Sequence, residues 1–209
     1  MSELLAKSLH AVGQVLLIPS MVILLILMLI TVWQLGDVLI EALMERKSHR
    51  SDGESLILEL KGKSRAEMKT ILETRAIPKT QKEKLLLLCG QRGTDEELTT
   101  LAQRMLAAEE ARCARSLRPT ELVVKLGPMF GLLGTLIPLG PGIVALGMGD
   151  TAALSSAMAP AFDTTIAGLI SAAVSFVISG IRKRWYSDQM ATLEALMETV
   201  IREVSGDAE

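Results

Sequence analysis

Apolar and charged residues are segregated along this chain into long blocks instead of alternating with a short period. No charged residue occurs between His10 and Asp37, and positions 15–35 are dense in Leu, Ile, Val and Met. At about 1.5 Å per helical residue, the roughly 20 residues needed to cross the hydrocarbon are present with some to spare. The pattern predicts a first transmembrane helix over 12–36. Its apolar run is too long for a cleaved signal peptide, its leading segment is weakly basic, and no small-residue cleavage site follows, so it is expected to be retained. Pro19 falls near the outer end of this span, where a kink or a helix start is tolerated.

A second uncharged run separates Lys125 from Asp150 and predicts a span over 122–147. It holds Pro128, Pro138 and Pro141 together with Gly127, Gly131, Gly134, Gly140 and Gly142. Such a segment is a poor helix in water, but inside a bundle neighbouring helices can satisfy the freed carbonyls. Gly127 and Gly131 form a G-x-x-x-G pair and Gly134 continues their face, which lets another backbone come close. That face reads either as tight helix packing or as a pore lining.

The third span is predicted over 156–181, ending at Arg182, Lys183, Arg184, Trp185 and Tyr186. A basic cluster followed by two aromatics predicts an anchor at the membrane interface. Helical steps from Thr165 give a stripe of Gly168, Ala172, Ser175 and Ser179, with Ile166, Leu169, Ile170, Phe176 and Val177 largely off it. Packing alone explains the stripe, and so does one wall of a narrow wet lumen. Asp163, Thr164 and Thr165 here, with Thr135 in the second span, place an acid and hydroxyls at membrane depth. Intramembrane polar groups are costly and usually face a bundle interior or water, which points to an ion pathway.

The segment 41–121 carries most of the Lys and Arg, the tail after Ile181 carries another cluster, and the turn 148–155 has none. By the positive-inside rule, residues 1–11 and the turn face outward, while 37–121 and 182–209 are cytoplasmic. Within the central segment Leu56, Leu60, Met68, Ile71 and Leu72 recur at helical spacing, as do Leu85, Leu86, Leu101, Met105 and Leu106. Breaks are predicted at 51–53, 77–78 and 90–93, and Thr94 with Glu97 makes a helix start. The fold class expected is therefore an all-α integral membrane protein. It has three transmembrane helices, a cytoplasmic helical domain between the first and second, and a cytoplasmic C-terminal helix.

Composition agrees. Aromatics are 3% of the chain, mean hydropathy is +0.37 and formal net charge is −2, so neither an aromatic-rich soluble core nor a nucleic-acid surface is indicated. Cys89 and Cys113 fit no zinc or redox spacing and are expected to be reduced, buried thiols. His10 and His49 are isolated, and there is no phosphate loop, metal-ligand spacing or nucleophile motif. No catalytic site, metal or cofactor is expected.

The sequence GPMFGLLGT at 127–135 resembles the G-L-x-G-T core of the MotA/TolQ/ExbB proton-channel family. AFDTTIAGL at 161–169 is similar to the A-x-x-x-T-x-x-G-L segment of that family's last span. The order of one span, a basic helical domain, a two-span hairpin and a tail is closest to the TolQ/ExbB branch. The resemblance implies a homopentameric subunit of an ion-driven motor in the inner membrane. Its last two spans would line a pore that encloses two copies of a single-span partner of the ExbD/TolR/MotB type, whose own aspartate carries H+ or Na+. Carried over by motif, the ring of pore hydroxyls is Thr135 and Thr165.

Two departures stand out. Relatives often carry a glutamate where Pro160 stands, and Asp163, one turn further in, either replaces that acid or caps a helix started by Pro160. Thr164 is likewise either a second pore hydroxyl or a back-bonded helix residue. The second departure is Pro138, Leu139, Gly140 and Pro141, which suggests a stronger bend toward the outer mouth. A membrane scaffold or sensor that conducts nothing is the alternative. A solute transporter is disfavoured by the small number of spans and the lack of an inverted repeat.

Overall fold

The computed structural model describes residues 2–45, 52–75 and 77–206, and every regular element among them is a helix. In chain order these are α1 (Ser2–Glu45), α2 (Asp52–Leu60), α3 (Arg65–Thr74), α4 (Lys79–Gly90), α5 (Asp95–Gly147) and α6 (Thr151–Gly206). Three of them, α1, α5 and α6, are long and apolar enough to cross a membrane. All three extend past their apolar stretches. Helix α5 is continuous through Pro119, Pro128, Pro138 and Pro141, and α6 through Pro160. In hydrocarbon an amide has no water to turn to, so the backbone stays helical around a proline that would end a helix in solution.

The chain divides into two compact units. The first comprises Met1–Ile40 and Leu117–Ile181, the apolar parts of α1, α5 and α6. Many of its large side chains point outward: Leu25, Leu29, Trp33, Met129, Leu136, Phe176 and Val177 are exposed, while Ser20, Thr31, Gln34, Thr120, Ser171, Ser175 and Ser179 are buried beside Leu24, Leu27, Val123 and Ile178. Exposed apolar surface with polar and small residues between the helices is what a lipid solvent allows. The turn between α5 and α6 is only Met148, Gly149 and Asp150, shorter than the 148–155 loop expected. Gly149 takes a left-handed conformation (φ +82°), and the Asp150 carboxylate accepts from the Ala153 amide at 2.9 Å. Asp150 therefore starts α6 five residues before the predicted 156.

The second unit comprises Glu41–Ser116 and Arg182–Glu209. Its core joins Leu56, Leu60, Met68, Leu72, Leu85, Leu88, Cys89, Leu98 and Ala102 to Leu193, Leu196, Met197, Val200, Ile201 and Val204 from the end of α6. All the helically spaced residues of the central segment reach this core or its edge. The contribution of α6 was not anticipated, although its apolar residues recur at three- and four-residue intervals.

The break at 77–78 falls between helices, that at 90–93 does so after Gly90, the last residue of α4, and Lys61–Ser64 adds one that was not foreseen. Ser51, in the first expected break, and His49 lie outside the described residues. Reciprocal caps open α3 and α5. The Glu67 carboxylate accepts from the Ser64 amide at 3.1 Å, and Glu97 accepts from the Thr94 amide at 3.0 Å while its own amide donates to the Thr94 hydroxyl at 3.4 Å. Arg65 donates to the Val204 carbonyl at 2.8 Å and Ser205 to Asp95 at 2.9 Å, which ties the end of α6 to this unit.

Burial pushes the Cys89 thiol above its ordinary pKa, against a smaller opposing pull from Arg65. The thiol is therefore protonated and enclosed at neutral pH, and alkylation should follow opening of the unit. Leu72→Ala, which empties a fully buried position, is expected to cost about 2–5 kcal/mol and to speed Cys89 modification measured by mass spectrometry. Unchanged protection of Cys89 in a variant that is less stable would contradict this account of the core.

Candidate functional site

The second and third spans meet backbone to backbone. A Cβ on Gly168 would fall on the Gly127 carbonyl oxygen, and one on Gly127 would lie 2.8 Å from the Gly168 carbonyl and 3.3 Å from the Ala172 Cβ. A Cβ on Gly131 would come within 3.3 Å of the Thr165 Cα, and one on Gly134 would strike the Thr164 hydroxyl. Partners on α6 fall in number as those on α5 rise, so the two helices run antiparallel in close contact. The small-residue face of α5 is thus packed within a single chain.

Two of the predicted hydroxyls, Thr164 and Thr165, lie at this contact, and Thr135 follows it on α5. Thr165 Oγ1 donates across the contact to the Gly131 carbonyl at 2.9 Å. Thr164 donates to the Ala161 carbonyl at 2.7 Å, and Thr135 to the Leu132 carbonyl at 2.8 Å. Each hydroxyl has committed its only hydrogen to the backbone and presents lone pairs to anything else. The three groups are therefore acceptors, suited to a cation or to an incoming O–H donor. Passing a proton onward as donors would first require breaking these bonds. Thr164 is back-bonded, one of its two expected roles, and it also touches the α5 face at Gly134.

Asp163 is exposed, lies well inside α6 and does not start it, because that cap belongs to Asp150. The cap reading of Asp163 is therefore corrected. It assumed that Pro160 marks a helix start, whereas Pro160 is internal. Pro138 is half-buried within the continuous α5.

Along α6, Gly168, Ala172, Ser175 and Ser179 are buried, whereas Ile166, Leu169, Ile170, Phe176 and Val177 are exposed. The small-residue stripe is a packing surface of the subunit itself. Ser175 lies 3.3 Å from Thr31 of α1, and Thr31 donates to the Leu27 carbonyl, so the Ser175 hydroxyl is the donor of this pair. Sequence reasoning missed Thr31, one of several polar residues inside the uncharged run of α1, beside Gln14, Ser20 and Gln34.

The expected interface anchor is not uniform. Lys183 and Arg184 are exposed, and Trp185 and Tyr186 are half-buried, with the Tyr186 hydroxyl 3.1 Å from that of Ser116. Arg182 is buried instead and pairs with Glu41 at 3.3 Å. A guanidinium at the end of an apolar run is stabilised there by an opposite charge.

Three membrane-length helices, two of them joined as a glycine-packed hairpin, define a multi-pass membrane protein. Residues 43–195 match the MotA/TolQ/ExbB proton channel family, and the chain belongs to that family. The matched region takes in α5 and most of α6 but leaves out nearly all of α1. No curated protein matches the chain.

Gly168→Ala should lower the thermal midpoint of the detergent-solubilised protein, because its methyl group meets a backbone carbonyl that cannot swing aside. The expected cost is about 1–3 kcal/mol. Gly140→Ala, where a Cβ meets nothing within 4 Å, is the control and should be neutral or slightly stabilising. Equal effects of the two substitutions would contradict the close contact.

Proposed function

We propose that this protein is the channel-forming subunit of an ion-motive-force-driven membrane motor. It shares a pore with a single-span partner of the ExbD/TolR/MotB type and couples H+ or Na+ flux to mechanical work. Family membership supports the channel role. One observation carries the reading furthest. Asp163, immediately before the two threonines that meet α5, carries an exposed carboxylate that the subunit's own helices leave uncovered.

An acid in this position is costly against lipid and is stabilised by water or by a second protein. A central pore formed by five copies around two partner spans supplies both. In that arrangement Asp163 gathers cations on the outer side, and the hydroxyl oxygens of Thr135, Thr164 and Thr165 accept them at about the same level. The charge pattern supports an orientation in the cytoplasmic membrane with the N-terminus and the α5–α6 turn outside. The second unit, with its Lys- and Arg-rich surface, and the C-terminal segment then face the cytoplasm. The TolQ/ExbB branch fits the order of segments best.

A non-conducting scaffold or sensor is the second reading, and the Thr165–Gly131 bond favours it, since a hydroxyl used for packing needs no ion. Flux in proteoliposomes holding this subunit and its one-span partner separates the two. Asp163→Asn should reduce partner-dependent flux about tenfold, equivalent to about 1.4 kcal/mol on the rate-limiting barrier. Thr165→Val should abolish flux and Thr165→Ser, which keeps the hydroxyl, should restore it. No flux from the assembled complex under either a proton or a sodium gradient would overturn the motor in favour of the scaffold.

A further inference from the structure

Several polar side chains buried among the three spans take no part in the hairpin contact. Gln34 of α1 is 2% exposed and Thr120 of α5 is 0% exposed. Among the described residues, neither the nitrogen nor the oxygen of the Gln34 amide has a hydrogen-bond partner in the protein, and the same holds for the Thr120 hydroxyl. Buried polar groups are almost always satisfied, by protein or by ordered water.

Helical register brings these groups to one level. Successive spans alternate in direction, so α1 and α6 run the same way. Gln34 follows Thr31 by about one turn on α1, and Ser179 follows Ser175 by about one turn on α6, starting from the bonded pair Thr31 and Ser175. Helix α5 runs the opposite way. From the Gly127–Ala172 contact, Thr120 lies about two turns back on α5, and Ser179 about two turns on along α6. Gln34, Thr120 and the buried Ser179 therefore share a level. Asp37 lies about one turn beyond Gln34 and Glu121 adjoins Thr120, so this level is at the end of the apolar runs, within reach of bulk water.

We propose that each subunit binds ordered water between its three spans at the level of Gln34, Thr120 and Ser179. The Gln34 amide both donates to this water and accepts from it, and the Thr120 hydroxyl completes the site. Water fits better than a cation because the unpartnered set includes amide N–H donors, which a cation would leave unsatisfied, and contains no carboxylate. Buried waters typically make about three such bonds. The site is separate from the hydroxyls of the hairpin contact, since Ser179 lies about 21 Å along α6 from Thr165. It also depends on α1, most of which is outside the matched family region. It would hold the first span to the hairpin through exchangeable polar contacts.

The test uses the full-length chain in nanodiscs. A density map that resolves ordered water should show a bridging water between the Gln34 amide and the Thr120 hydroxyl. Gln34→Leu and Thr120→Val should each lower the thermal midpoint by about 2–4 °C, and the double variant should fall no further than the worse single variant. A map in which the amide bonds directly to protein, or with no density at that level, overturns the proposal whatever the midpoints are. Single variants that raise the midpoint, or that add independently, also overturn it.

Discussion

The contact between the backbones of α5 and α6 at Gly127, Gly131 and Gly168 is the constraint on which the membrane-embedded part depends. Without side chains at these points, two helices approach closely enough for Thr165 to reach the Gly131 carbonyl. In lipid no hydrophobic force drives helices together, so association rests on close packing and on such interhelical bonds. Of the candidate pathway hydroxyls, Thr135 and Thr164 bond within their own helices, and the same approach fixes the orientation of Thr165. It turns Ile166, Leu169 and Ile170 outward and leaves Asp163 uncovered. The packing face read from the sequence and Thr165, a candidate pathway hydroxyl, therefore meet in one contact.

The threonines illustrate how chemistry narrows once geometry is known. From sequence, a hydroxyl is both donor and acceptor, and relay or coordination are equally open. In the folded chain Thr135, Thr164 and Thr165 have all given their hydrogens to carbonyls, which leaves three oxygens as acceptors. That polarity favours cations approaching from the uncovered side. For Thr165 the hydrogen holds the hairpin while the lone pairs remain available.

Much of this was legible in the residues. Long apolar blocks specify helices of membrane length because hydrocarbon leaves the backbone little alternative. The stripe Gly168, Ala172, Ser175 and Ser179 is buried, one of the two roles its spacing allows, and the helically spaced apolar residues of the central segment reach one core or its edge. The misses have physical causes. Pro160 suggested a helix start, but the nearby Asp150 supplies a better cap and the helix passes through the proline. The end of α6 was read through its charges, and its core-forming residues from Leu193 to Val204 were passed over. Arg182 looked like a surface anchor because its partner Glu41 is distant in sequence. Thr31 was invisible for the same reason, its role depending on a contact with Ser175.

The central claim is that the Asp163 face opens to water and not to lipid. It is tested most directly by thiol accessibility of Asp163→Cys in a chain whose own Cys89 and Cys113 are replaced by alanine, embedded in membranes with its one-span partner. The account predicts modification by a small, water-soluble, membrane-impermeant reagent applied from one side of the membrane. Modification only by a reagent that partitions into lipid would contradict it.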